Sequence, residues 1–279
     1  MLQRTVLITG CSEGGLGAAL ARAFQARGFH VFATVRNANK AGALGDVENI
    51  EVLNLDVKSE DSIQQCVREV EQRTGGTLDV LVNNAGADFV MPLLDTQIEQ
   101  AKALYDLNVW GVLATTQAFV PMLIKAKGTI VDICSVGAVL PMAWSGIYNS
   151  SKAANNFLSE TLRLEIEPLG VRVITVMAGG IETPIHENAG KLELPLSSYY
   201  QAAQGHISDQ RSGAKKPGAQ RPEVTARNIV HDVVNGRRGQ IWRGGNASTI
   251  WWLVWLLPKG AVEWMLNKGV DRGLALVTA

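Results

Sequence analysis

Six short apolar runs alternate with helix-like stretches along this chain, and no other feature restricts its fold so narrowly. The runs are Thr5 to Thr9, His30 to Val35, Ile50 to Leu55, Leu78 to Val82, Gly128 to Cys134 and Val171 to Met177. They are rich in Val and Ile, and several are apolar at both odd and even positions. That suits strands buried on both faces, as in a parallel sheet. Between them, Leu16 to Gly28 sets Leu16, Leu20 and Phe24 on one helical face and ends at a glycine. Ser59 to Thr74 groups Ile63, Val67 and Val70 in the same way. Asp95 to Ala126 reads as a long helical region interrupted near Val109-Trp110-Gly111, and Tyr148 to Gly170 as another. Strands alternating with helices predict an α/β fold: a doubly wound parallel sheet with helices on both faces.

The length of 279 residues suits one large domain or two small ones, and is enough to bury a sizeable core. From about Thr183 to Arg221 the periodicity dissolves. Its polar end, Gln210 to Arg221, reads as a mobile loop or lid. The expected organisation is one catalytic domain over 1–245, with a substrate loop at 184–222 and an apolar C-terminal segment at 246–279. Basic and acidic side chains balance at 26 each, which argues against a nucleic-acid partner. Cys11, Cys66 and Cys134 are widely spaced and lack zinc-ligand spacing, so no metal site is expected. Reduced, buried thiols fit a cytoplasmic environment. Val6-Leu7-Ile8 is too short for a signal peptide core, and no run reaches the ~20 apolar residues of a membrane span.

Glycine is above its usual share of about 7 %, at 28 residues. The first strand shows one use for it. Thr5 to Thr9 runs into Gly10-Cys11-Ser12-Glu13-Gly14-Gly15-Leu16-Gly17, and a helix follows. Such a turn lets the backbone approach a pyrophosphate, while the helix N-terminus supplies amide donors and partial positive charge. The next strand should end beside an adenosine ribose, where an Asp or Glu would hold the 2′-hydroxyl of NAD. Here the strand ends Thr34-Val35-Arg36-Asn37, without an acid. A carboxylate would repel a 2′-phosphate, whereas Arg36 can pair with one in forked geometry. The expected cofactor is therefore NADP(H).

Tyr148-Asn149-Ser150-Ser151-Lys152 places a phenol and an ammonium four residues apart, on one helical face. A nearby cation favours phenolate and eases proton exchange by a tyrosine whose free pKa is about 10. That suits a general acid for a carbonyl reduced by hydride. With this pair the sequence resembles the short-chain dehydrogenase/reductase family. Thr9-Gly10, Asp56-Val57, Asn83-Asn84-Ala85-Gly86, Asn108, Ser135, Tyr148/Lys152 and Gly179 to Thr183 occur in the family's order over about residues 3 to 240. The Thr9-Gly10-Cys11-Ser12 opening, the Ala33-Thr34-Val35-Arg36 strand end and the apolar C-terminus are most similar to the fungal branch that includes 1-acyl-dihydroxyacetone-phosphate reductase.

The resemblance implies a Rossmann-type fold and a ketoreductase. Tyr148 would donate the proton, Ser135 would hydrogen-bond the same carbonyl, and Lys152 would hold the nicotinamide ribose and lower the tyrosine pKa. Asn108 would position a water linking Lys152 to solvent. Gly10, Ser12, Gly15, Leu16 and Gly17 would cradle the pyrophosphate, with Arg36 and Asn37 at the adenosine ribose. Asp56 and the Val57 amide would meet the adenine. Asn84, Ala85 and Gly86 would line the ribose, and Ile181 and Thr183 the carboxamide or pyrophosphate. Two departures stand out. The glycine turn has one residue more than usual before Gly15, with Glu13 expected to face solvent. Ala178-Gly179 replaces the usual Pro-Gly, which is expected to loosen the following loop.

Five of the seven tryptophans lie beyond residue 240, and Ile250 to Leu257 is apolar all round. Lys259 and Lys268 flank the region that follows. Eight residues cannot span a bilayer. A membrane or lipid surface, a substrate lid and a dimer contact all remain open for this segment. Peripheral attachment to endoplasmic reticulum or a lipid droplet is open with them. Lys215, Lys216 and Arg221 offer charge for a substrate phosphate, or form a solvated loop. The expected partners are an apolar, small-molecule carbonyl compound and further copies of the chain, with the helices near Asp95 and Tyr148 as the contact. The alternatives are alcohol oxidation or isomerisation by the same groups, or a cofactor-binding scaffold without catalysis.

Overall fold

The computed structural model of the chain describes residues 3–185, 191–213 and 218–267. The strands are β1 (Thr5–Ile8), β2 (His30–Val35), β3 (Ile50–Asn54), β4 (Val80–Asn83), β5 (Thr129–Ile133), β6 (Arg172–Ala178) and β7 (Gly239–Arg243). They form one sheet in the order β3-β2-β1-β4-β5-β6-β7, with every pairing parallel. The helices are α1 (Leu16–Gln25), α2 (Glu60–Thr74), α3 (Ile98–Tyr105), α4 (Gly111–Ala126), α5 (Gly146–Ile166), α6 (Gln204–Arg211), α7 (Pro222–Val234), α8 (Ala247–Leu256) and α9 (Lys259–Asn267). The expected α/β, doubly wound sheet is present.

Alternation within each strand explains why both parities are apolar. Val6 and Ile8 of β1 face the layer that holds α1 and α7, while Leu7 faces the layer of α2, α4 and α5. Val80 and Val82 against Leu81, and Val131 and Ile133 against Ile130, repeat the division. The helices answer from both sides. Leu20 and Phe24 of α1 and Ile229 and Val233 of α7 close one core, and Phe119 and Leu123 of α4 and Ile63 and Val70 of α2 close the other. Local signals end the elements as well. The Ser59 hydroxyl accepts the Ser62 amide at 3.3 Å to cap α2, and Gly75 ends it in the left-handed conformation.

Three features depart from the expectations. The six foreseen strands appear with ends shifted by no more than two residues, but β7 is a seventh. As an edge strand it buries only Ile241, so it leaves no apolar run to read. The segment after Thr183 is not pattern-free, because α6 forms within it. The interruption expected near Val109 is a single π-turn, Asp106–Trp110, joining α3 and α4. The resulting rod, Ile98–Ala126, is long and apolar enough to cross a bilayer by length and composition. Its apolar residues Leu104, Phe119, Met122 and Leu123 are buried within the fold, which accounts for its composition.

Candidate active site

The parallel strands deliver their C-terminal ends to one edge, the usual ligand edge of an open α/β sheet. At β1 the chain turns through Gly10 to Gly15 into α1. The extra residue of this turn is absorbed by a bend in which the Gly15 amide donates to Ser12 O at 3.1 Å, with Gly14 at φ +73°. A side chain at Gly17 would come within 2.4 Å of Gly10 O and 2.6 Å of Asn84 Nδ2. Gly15 caps α1 without any side-chain bond, and its first turn has no acidic residue. The helix therefore presents bare amides and its positive end. Glu13 is exposed as expected, and its carboxylate packs over Gly42.

Hydrogen bonds tie the neighbouring strand ends to this turn. Thr9 Oγ1 accepts the amides of Asn84 at 3.0 Å and Ala85 at 2.9 Å, and Asn84 Nδ2 donates to Thr9 O and Gly10 O. Beyond β2, Arg36 is exposed, and no carboxylate pairs with it among the described residues. Asn37 Oδ1 accepts the Asn39 amide, and Asp56 Oδ1 accepts the Lys58 amide at 3.0 Å, with Val57 buried beside it. On the other side, Ile181 is buried and Pro184 reaches to 3.7 Å of a side chain placed at Gly14. The stretch from Gly179 to Thr183 thus flanks the glycine turn. It is not loosened by the missing proline. Gly179 N donates to Arg243 O, Gly180 and Gly245 exchange two bonds, and Glu182 N donates to Gln220 O.

One turn of α5 carries Tyr148 and Lys152 beside the end of β5. Ser135, almost buried, accepts the Gly137 amide at 3.0 Å and lies near enough to the Tyr148 phenol to favour its ionised form. Lys152 Nζ donates to Ile133 O at 3.0 Å. Asn108, on the π-turn, is wholly buried. Its Oδ1 accepts the Ala87 amide, and its Nδ2 donates to Ala87 O and Ser151 Oγ. A side chain at Gly86 would lie 3.2 Å from Asn108 Oδ1 and 3.6 Å from Lys152 Nζ, so these groups converge. Asn108 therefore ties the Ala87 loop to α5 through its side-chain amide. The π-turn, a feature frequent at functional sites, closes through Gly111 N to Asp106 O.

Charge at the site differs from the expectation drawn from Lys152. Burial pushes the Tyr148 phenol above its ordinary value, the Asp88 carboxylate adds to that, and the Ser135 side chain pulls the other way. Burial lowers Lys152, opposed by Cys134, Asp132 and Asp88. Below the site, buried Asp132 accepts from Asn83 Nδ2 at 2.8 Å and from Ser159 Oγ, and burial raises its carboxyl. All three cysteines are buried and free, and burial pushes Cys11 up to about 12. Among the described residues no cluster fits a metal.

A third apolar cluster, missed in the sequence, includes Trp144, four residues before Tyr148. Val90, Met91, Trp144, Leu192, Leu194, Ala203 and Ile207 form it, with Phe89 and Tyr200 against it. Gln210 Nε2 donates to Ala143 O and Ser145 Oγ at 3.0 Å, fastening α6 to the loop before Tyr148. Gln210, the first residue of the expected lid, is therefore held against the loop before Tyr148. Lys215, Lys216 and Lys268 lie outside the described residues. Arg221 is exposed and pairs with Glu223 at 3.5 Å.

The chain is similar to known proteins in sequence and fold. Residues 4–193 match the family model for short chain dehydrogenases. The short-chain dehydrogenase cctT of Talaromyces islandicus is 51 % identical over 268 residues, covering 95 % of this chain and 94 % of its own. An NADPH-dependent 1-acyldihydroxyacetone phosphate reductase of Schizosaccharomyces pombe is 37 % identical, over 88 % of this chain and 87 % of its own. A crystal structure of a short-chain dehydrogenase from Streptomyces avermitilis superposes with a TM-score of 0.78 at 28 % identity, covering 98 % of both chains. This chain belongs to the short-chain dehydrogenase family of oxidoreductases.

Proposed function

We propose that the protein reduces a ketone on a bulky apolar molecule with NADPH, using Tyr148 as the proton donor. The observation that carries this reading is the convergence of Ser135, Tyr148 and Lys152 at the end of β5, beside a dinucleotide cradle. The cradle fits the cofactor: α1 offers uncapped amides, and even a methyl group at Gly17 would collide with Gly10 O. When bound, the nicotinamide supplies the hydride. Ser135 and Tyr148 share the substrate oxygen, and Tyr148 Oη gives it the proton. Lys152, held by Ile133 O, is placed to grip the ribose hydroxyls. Asn108 holds the Ala87 loop and α5 at fixed spacing beside Lys152.

Arg36 supports NADPH over NADH, because it is exposed and has no competing carboxylate among the described residues. The name of the S. pombe relative agrees with that choice. The apolar cluster around Trp144, with Phe89 and Tyr200 packed against it in the loops flanking Asp88 and Tyr148, supports an apolar substrate. The arginine offered for a substrate phosphate, Arg221, is already paired with Glu223 at solvent.

NADPH oxidation with a panel of acyl-dihydroxyacetone phosphate, steroid and polycyclic aromatic ketones tests the reading. Tyr148→Phe should lose about 10²–10⁴ in kcat while binding NADPH as before. Arg36→Asp should raise the KM for NADPH by about ten- to hundredfold without a like effect on NADH. Near-normal turnover by Tyr148→Phe would end the proposed mechanism. We also propose that the chain works as a homo-oligomer through the face formed by α3 and α5.

A further inference from the structure

We propose that α8 and α9 form an in-plane anchor that seats the protein on a lipid bilayer. The first support is the distribution of apolar surface around α8. Trp251, Trp252, Val254, Trp255 and Leu256 are all exposed, Trp255 by 69 %. At 3.6 residues per turn these positions cover about 200° of the helix circumference. Ile250 and Leu253 occupy the remaining side, half-buried against the fold. A helix that docks on one protein surface needs an apolar stripe roughly 100° wide. An exposed arc twice that width fits a surrounding apolar medium better than a single flat partner.

The chemistry of the arc names that medium. Three tryptophans stack edge to face along it, with ring centres 4.5 Å and 6.0 Å apart. Indoles settle at the boundary of headgroups and acyl chains. From Gly244 to Val262 the only charged side chain is Lys259, and it pairs with Glu263 at 3.7 Å. α8 therefore carries no charge into the bilayer, and the one carboxylate of α9, Glu263, is paired with Lys259, so the anchor needs no anionic lipid. Ten residues make α8 about 15 Å long, half the ~30 Å of a hydrocarbon core. It can lie in the interface but not cross it. After the turn at Pro258, α9 adds exposed Trp264 and Met265.

Position ties the anchor to the site. α8 starts four residues after β7 ends, where Gly245 exchanges hydrogen bonds with Gly180 beside Ile181. The anchor thus leaves the sheet at the edge that holds Tyr148. A lipid-dissolved ketone would be delivered to that edge, which deepens the reduction reading while the anchor itself stands without it.

Flotation of the full chain with phosphatidylcholine vesicles tests the anchor with no need for turnover. The wild-type protein should float, with its tryptophan emission shifted to the blue and quenched by brominated phosphatidylcholine. Trp252→Ser/Trp255→Ser should float at least tenfold less while melting at the wild-type temperature. Wild-type protein that stays in the dense fraction, or escapes the brominated lipid, overturns the proposal. Equal flotation of the double variant does the same. A lipid-free dimer that the double variant splits would assign the face to a second copy instead.

Discussion

Tyr148 holds its proton because two effects at the site act in the same direction. The surrounding protein strips water from the phenol, and Asp88 places a negative charge beside it. Each disfavours phenolate. A proton donor needs the protonated form, so reduction should run at full rate through neutral pH. It should fall only as pH rises past the ordinary phenol value of about 10. Asp88→Asn removes the charge and keeps the shape. Its alkaline limb in the pH profile of kcat should therefore begin at lower pH than in the wild type. An unchanged limb would show that burial alone sets the phenol. Asp88 stays hidden in the sequence, because it belongs to no spacing pattern and gains its meaning only from the fold. Tyr148 and Lys152 are legible there because an i, i+4 pair needs only a helix to meet.

The glycine turn shows how much of an element its residue order can carry. Its place between a strand and a helix locates the cradle, yet counting residues leaves the extra one unassigned. Geometry resolves that, since Gly14 at φ +73° lets the bend from Ser12 to Gly15 take it up. Gly17 is different: it lies outside the left-handed region, and close approach is what forbids a side chain. Gly17→Ala should push Gly10 O and Asn84 Nδ2 apart, at about 1–3 kcal/mol of stability, and abolish NADPH binding measured by fluorescence titration. Tight binding by that variant would mean that the turn yields more easily than 2.4 Å allows. Other elements are silent for physical reasons. α6 buries only Ile207, and β7 only Ile241, so neither prints a period on the sequence. Trp144, in the third apolar cluster, sits at φ +67°, which no neighbouring residue announces.

Among the described residues, two groups of exposed apolar side chains stand out, and they differ in kind. The C-terminal pair of helices exposes tryptophans over a broad arc, whereas the second surface is a face shared by neighbouring elements. Leu94, Ile98 and Trp110 are exposed on and around α3, and Phe157 and Leu164 on α5. An open groove of about 680 Å³ runs beside Trp110, between the start of α2 and α4, away from Tyr148. Isolated apolar residues on a surface mean little, but a contiguous set marks a contact. This one lies on two rigid helices that pack together, so a second copy could match it by symmetry. Phe157, 76 % exposed, is the sharpest probe. Phe157→Glu should shift sedimentation from oligomer towards monomer at the same protein concentration. It should also make melting less dependent on concentration. The same substitution should leave vesicle flotation intact, because α8 and α9 do not depend on α5. If instead Phe157→Glu stays at the wild-type size, the α3 and α5 face is not where copies meet.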